Sequence, residues 1–247
     1  MSQNLALRRL RVPCGRPQAW THATRGVLCP PRSIWGPDLA SDIAVIDYGS
    51  GNLKSVANAV ARVTDRKVHV TSDPTTLATA GHVILPGVGA FGDCMAGLQA
   101  VSGLKETLCD LVLEEKRPFL GICVGMQLMV DEGHEHGNHR GLCWVHGHTS
   151  LLAPEDQSLR VPHMGWNRLS LQKDHPVLAD LDGEDVYFVH SYAVQCDDAD
   201  HLIATTEHGG PVTAIIGRDN MLGVQFHPEK SQAAGLSFLS QFLRWQP

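Results

Sequence analysis

The sequence predicts an α/β fold over residues 43–247, a single doubly wound domain built on a mixed, largely parallel sheet. Three observations point there. After Asp42, short apolar runs of strand length alternate with amphipathic stretches, the pattern of strand, crossover helix and next strand. Glycine-rich turns follow two of those runs, at residues 86–89 and 121–125. The stretch is also of one-domain size, since domains commonly run ~50 to 250 residues.

In chain order, Ile43 to Ile46 reads as the first strand and residues 53–62 as the first helix. Residues 68–70 and 82–85 are further short strands. Leu104, Leu108 and Leu111 recur at helical spacing and predict a helix over one sheet face, ahead of a strand at residues 119–122. From Gly141 the pattern is more strand-like, at Val161 and at residues 169–171, 186–189, 202–206 and 212–216. The chain closes with a helix capped by Ser231, with Leu236, Leu239, Phe242 and Leu243 inward.

The chemistry concentrates at three places. Gly121-Ile122-Cys123-Val124-Gly125 sets a cysteine on a glycine-flanked turn after an apolar run. That is the form of a nucleophile elbow, which exposes its side chain above a sheet at a helix N-terminus, and a helix N-terminus favours the thiolate. Downstream, His227-Pro228-Glu229 brings a base together with a carboxylate able to orient it. Pro228 keeps His227 out of the helical region, and in an extended stretch residues two apart share a face. Cys123, His227 and Glu229 then have the logic of a catalytic triad. Either feature alone has a bland reading, a buried small hydrophobe or a strand-end turn; their joint occurrence disfavours it. Cys94, Cys109, Cys143 and Cys196 keep the bland reading. Third, Pro86-Gly87-Val88-Gly89 is a mobile turn able to aim an amide N–H at a developing oxyanion.

With these segments together, the chain resembles the class I, triad-type glutamine amidotransferases, and within that family the glutaminase subunits of imidazole glycerol phosphate synthases. The narrower likeness rests on Asp47-Tyr48-Gly49-Ser50-Gly51-Asn52, Pro162-His163-Met164-Gly165-Trp166-Asn167 and Phe188-Val189-His190-Ser191-Tyr192. No Gly-rich phosphate loop or dinucleotide fingerprint is present, and no cofactor is expected. The resemblance implies glutamine as substrate. Its oxyanion donors are the N–H groups of Val88 and Val124. It puts Gly87, Gly89, Gln127, Ser191 and Tyr192 against the bound glutamine and Glu135 on the substrate ammonium, although the stretch 131–137 is richer in histidine than the family pattern. Asn52 and Trp166 match surfaces facing a separate (β/α)8 cyclase subunit, with which the family forms a heterodimer. For Trp166 core packing is a rival role, and for Glu135 a solvated loop position is.

Composition limits the alternatives. The chain carries −6 overall, and six arginines against two aspartates in residues 1–42 leave the remainder at −10. The folded part is thus no nucleic-acid binder by charge. No apolar run approaches the ~20 residues of a bilayer span. Seven cysteines without framework spacing argue for a reducing, cytoplasmic setting. Residues 1–42 lack helical or strand periodicity and read as a flexible extension or an over-extended start, without the serine content of an organellar targeting segment. The histidines at 134, 136, 139, 146 and 148 lack the spacing of a zinc site and read as a polar flap. Two rival functions remain: a glutaminase subunit of another synthase, and a catalytically silent scaffold that only binds a partner.

Overall fold

The structure is a computed structural model, and it describes residues 42–247. The expectation for the N-terminal extension lies outside the described residues. Asp42 itself belongs to the fold: its carboxylate pairs with His69 Nε2 at 2.9 Å and its carbonyl accepts the Gly81 N–H at 2.8 Å.

The first half runs β1 (Ile43–Ile46), α1 (Leu53–Ala61), β2 (Val68–Thr71), α2 (Pro74–Ala78), β3 (His82–Gly87), α3 (Phe91–Ala100), α4 (Leu104–Cys109), β4 (Phe119–Cys123) and α5 (Val124–Gln127). The second runs β5 (Val130–Gly133), β6 (His139–Arg140), β7 (Val145–Leu151), β8 (His163–Arg168), β9 (Ser170–Leu171), β10 (Asp185–His190), β11 (Tyr192–Cys196), β12 (Leu202–Glu207), β13 (Pro211–Arg218), β14 (Met221–Val224) and α6 (Gln232–Arg244).

Among the described residues the main sheet has the order β2-β1-β3-β4-β14-β13-β12-β9. The strands from β2 to β14 are parallel, and β13, β12 and β9 extend the sheet antiparallel. Right-handed crossovers applied to this order put α1 on one face, where it packs on α6, and α2 with α4 on the other. β1, β3 and β4 are buried along their whole length, as expected of strands covered on both faces. The strand order reverses between the parallel β1 and β3, and the carboxyl ends of the strands at such a switch point are the usual ligand position in sheets of this kind.

Several expectations are corrected. Val161 lies outside any strand and is 40% exposed; the neighbouring strand starts at His163. The stretch around residues 131–140 is not a loose flap: β5 and β6 pair as a hairpin in a four-stranded sheet, β11-β7-β5-β6, while β8 and β10 form a separate ribbon. Ser231 stands at the N-cap position of α6 without capping it. Its hydroxyl donates to the His227 carbonyl at 2.7 Å and accepts the Tyr187 N–H at 3.0 Å, stapling the start of α6 to β10. Phe238 is fully buried on the inner face of α6, and Leu236 only partly.

Candidate active site

Cys123 closes β4 and begins α5 with φ +55° and ψ −113°. A positive φ on a residue carrying a Cβ is strained, and it is the cysteine, not a flanking glycine, that makes the sharp turn. The glycines supply room. A Cβ on Gly125 would lie 1.8 Å from the Leu85 carbonyl oxygen, and one on Gly121 would lie 2.6 Å from the Gly125 oxygen. α5 therefore sits directly on the end of β3, and Cys123 is the cross-strand partner of Gly87.

β14 runs parallel to β4 with Val224 opposite Ile122, which carries the segment beyond it to the same end of the sheet. His227 is extended there, with φ −101° and ψ 99°, but residues 228–230 form a 3-10 turn. It is this turn, not a continued extended stretch, that swings Glu229 back beneath the imidazole. Glu229 Oε1 lies 2.9 Å from His227 Nδ1, with the two side chains 1% and 3% exposed. Nδ1–H donates to the carboxylate, which leaves Nε2 for the substrate side. Nε2 and Glu229 Oε2 are buried without a hydrogen-bond partner in the chain. Burial opposes the imidazolium, yet Cys123 and Glu229 outweigh it and hold the His227 pKa up at about 9. A thiol, an imidazole and a carboxylate so arranged can form a sulfur nucleophile and move its proton to a leaving group.

The turn after β3 is anchored on both sides. Tyr48 donates its hydroxyl to the Pro86 carbonyl at 2.8 Å, and the Val88 carbonyl accepts from Ser50 Oγ and from Cys94 Sγ. Val88 is 42% exposed and Gly89 has φ +97°. Val124 is the first residue of α5, so helix geometry leaves its N–H free of an intrahelical partner. Gln127 is buried at the end of α5, and Tyr192 opens β11 beside Ser191.

Glu135 is neither solvated nor loose. It is part-buried in the turn of the β5–β6 hairpin, and Oε2 accepts the Phe91 N–H at 2.9 Å, at the first turn of α3. Asn52 occupies the N-cap position of α1 without a side-chain cap bond. Trp166 is 47% exposed on β8, beside Met164 at 63% and edge-on to Tyr187, so the core-packing reading of Trp166 fails. Sequence reasoning missed Gln225, whose side chain is fully buried and reaches Cys123 Sγ at 3.6 Å. Its place two residues before His227 was the available signal. Among the described residues no three His, Cys, Asp or Glu groups cluster as metal ligands do, and no helix is long and apolar enough to cross a membrane.

A sequence model of the glutamine amidotransferase class-I family matches residues 44–245. The chain is 53% identical over 211 residues to the imidazole glycerol phosphate synthase subunit HisH of Zymomonas mobilis, covering 84% of this chain and 98% of that one. It is 51% identical over 212 residues to the subunit of the same name from Rhodospirillum rubrum, covering 83% and 99%. Among solved structures, a glutamine amidotransferase superposes with a TM-score of 0.63 at 14% identity, over 82% of this chain and 99% of the other. PurLQS from Thermotoga maritima does so at 0.60 and 16%, over 83% and 98%. These two likenesses bear on the fold alone. With a family match across nearly the whole described chain and half-identical relatives over almost their full length, the chain belongs to the class-I glutamine amidotransferase family.

Proposed function

We infer that this chain is the glutaminase subunit of an imidazole glycerol phosphate synthase in histidine biosynthesis, hydrolysing glutamine to glutamate and ammonia for use by a separate cyclase subunit. The observation that carries the reading is the 53% identity over 98% of a HisH subunit. The pairing of His227 with a buried Glu229 near the Cys123 elbow supports it. The silent-scaffold alternative would leave that buried ionisable pair without a use.

In the proposed reaction Cys123 Sγ attacks the carboxamide carbon of glutamine. The N–H groups of Val88 and Val124 receive the developing oxyanion, and His227 delivers the sulfur proton to the departing ammonia. Water then attacks the γ-glutamyl thioester with His227 as base, releasing glutamate and restoring the thiol. Glu229 holds the imidazole in the tautomer this needs. Gly87, Gly89, Gln127, Ser191 and Tyr192 line the glutamine, and Glu135 meets its ammonium while bracing α3. Asn52 and Trp166 face the partner, a (β/α)8 barrel forming a heterodimer with this chain in the cytoplasm. The glutaminase domain spans residues 42–247, one residue more than the sequence reading, since Asp42 is bonded into the fold.

The test is glutamine hydrolysis with and without the cyclase subunit and its nucleotide ligand, in wild type and Cys123→Ala. The substitution abolishes glutamine-dependent synthesis and leaves ammonium-driven synthesis intact, because the thiol only makes ammonia. Loss of the ammonium-driven reaction in a well-folded complex overturns the division of labour. Activity with the partner of another synthase, and none with the cyclase, overturns the pathway.

A further inference from the structure

Cys123 Sγ has a hydrogen-bond partner that the thiol–imidazole–carboxylate set does not include. Gln225 follows β14, is fully buried, and places Nε2 at 3.6 Å from the sulfur. Side-chain amides can be turned end for end, so the identity of the atom facing sulfur needs an independent argument. The surroundings provide one. Gln127 lies 3.1 Å from the Tyr192 carbonyl oxygen, which can only accept, so Gln127 must present its NH2 there. The same NH2 lies 3.0 Å from the Gln225 amide, which must answer with its oxygen. That leaves Gln225 Nε2, a donor, for the sulfur.

The Tyr192 carbonyl is itself held from the other side. His190 Nδ1 lies 2.8 Å from it and must be the protonated nitrogen. His190 Nε2 is then the acceptor for His163 Nδ1 at 3.1 Å. His163 Nε2 accepts in turn from Asn167 Nδ2 at 3.1 Å, and the other Asn167 proton goes to the Glu207 carbonyl at 2.6 Å. Burial depresses both imidazoles, helped by His190 and His208 at His163 and by His208 and His227 at His190, to about 3 for His163 and about 4 for His190, so neither ring gains the proton that would reverse the arm. Two hydrogen-bonded arms of defined polarity thus meet on one backbone carbonyl, and one of them ends on the nucleophile.

We propose that Gln225 is a catalytic partner of Cys123, donating its side-chain N–H to the thiolate, with Gln127 and the Tyr192 carbonyl as the groups that hold the amide in the donating orientation. A donor aimed at the sulfur stabilises the anion relative to the neutral thiol. It also fixes the sulfur at a second point besides the backbone turn. Because Gln225 and His227 are two apart in the chain, donor and base reach the thiol from the same strand end. The inference deepens the glutaminase reading, but its test is made on the sulfur and needs neither glutamine nor partner.

The experiment is the pH titration of the ultraviolet thiolate absorbance of the full chain, taken as the difference from Cys123→Ala so that the other cysteines cancel. The titratable groups within electrostatic reach of the sulfur are His227 with Glu229 behind it, Tyr48 after β1, and Cys94 on α3; all are retained in the variants. Gln225→Met keeps the side-chain length and removes the donor. It raises the midpoint by about one pH unit, a tenfold loss of thiolate at fixed pH and the low end for a hydrogen bond to an anion. Gln127→Met frees the Gln225 amide to rotate and shifts the midpoint upward by less. An unchanged midpoint in folded Gln225→Met overturns the proposal, since a role in packing alone leaves the titration where it was. If Gln225→Met does not fold, Gln225→Leu removes the donor with an uncharged side chain, and an unchanged midpoint there overturns it equally. Failure of glutamine hydrolysis in the wild-type complex with a normal titration shift counts against the glutaminase reading and leaves this one standing.

Discussion

Replacing Gly125 with alanine tests how the elbow is built. The added Cβ would stand 1.8 Å from the Leu85 carbonyl oxygen and 2.9 Å from its carbon, both backbone atoms at the end of β3. Real Cβ atoms essentially never come within 3.0 Å of such a neighbour, so the start of α5 must withdraw from β3 by at least 1.2 Å. No rotamer change relieves a clash between two backbones. The cost is therefore at the upper end of the range for overpacking, about 3 kcal/mol. For a domain of this size each kcal/mol lowers Tm by roughly 2 to 4 °C, giving a fall of about 6 to 12 °C. The movement also displaces Cys123, the residue before α5, from Gly87 and His227, and a misplacement of about 1 Å costs on the order of 10²-fold in rate. Thermal denaturation and glutamine hydrolysis in the partner complex measure the two effects. Gly183→Ala is the control: it has φ +75° and nothing within 4 Å, so it adds backbone strain of about 1 to 2 kcal/mol and leaves the rate alone. A Gly125→Ala protein that melts and turns over like the wild type would refute the direct seating of α5 on β3.

Glu135→Gln keeps an acceptor for the Phe91 N–H but removes the charge, so Tm stays within a few degrees of wild type while KM for glutamine rises; Glu135→Ala lowers both stability, by about 1 kcal/mol as for a lost helix cap, and affinity. An unchanged KM in Glu135→Gln assigns the carboxylate to α3 alone. Gly89→Ala, with no neighbour within 4 Å but φ +97°, restricts the turn after β3 without a clash and depresses partner-stimulated hydrolysis by roughly the 10² of one lost oxyanion donor. Full stimulation in that variant removes the turn from the rate. Gly87→Ala cannot isolate this effect, because its Cβ would meet the Gly125 nitrogen and the Tyr48 hydroxyl at 2.8 Å. Stability also depends on pH with opposite signs on the two sides of neutrality. His163 and His190 are depressed from 6.5 to about 3 and about 4, so below 6.5 the unfolded chain binds more protons and stability falls on acidification, by at most about 1.4 kcal/mol per pH unit for each. His227 is raised to about 9, so its contribution is complete below 6.5 and is lost as pH climbs through 9. Urea unfolding across pH 4 to 10 checks both, and a flat acid limb would refute the neutral His163–His190 pair.

Much of the site was legible because local chemistry wrote it into short segments. A cysteine at a strand end between two glycines, and a histidine joined to a glutamate through proline, together mark a candidate nucleophile and base by their spacing. The strands β1, β3 and β4 were legible for a related reason: burial on both faces demands an unbroken apolar run, and such runs stand out. The strands of the smaller sheet and ribbon, around residues 130–151 and 163–196, were harder to bound. Their half-exposed faces alternate with polar and histidine residues, and their pairing depends on distant segments.

The sequence by itself determined the fold class and marked Cys123, His227 and Glu229 as the candidate nucleophile, base and carboxylate, because each follows from residue type and near-neighbour geometry. Only the tertiary structure decided how they meet. It placed the strained φ on Cys123 rather than on a glycine and bent Glu229 under His227 by a 3-10 turn. It assigned the Ser231 hydroxyl to a staple between α6 and β10, and it set Glu135 on the first turn of α3. It also brought Gln225, Gln127 and the Tyr192 carbonyl into one hydrogen-bonded set across 98 and 65 residues of chain. The physical reason is that a buried polar atom must find a partner wherever the packed chain offers one. That partner is chosen by three-dimensional proximity, which no local pattern in the sequence records.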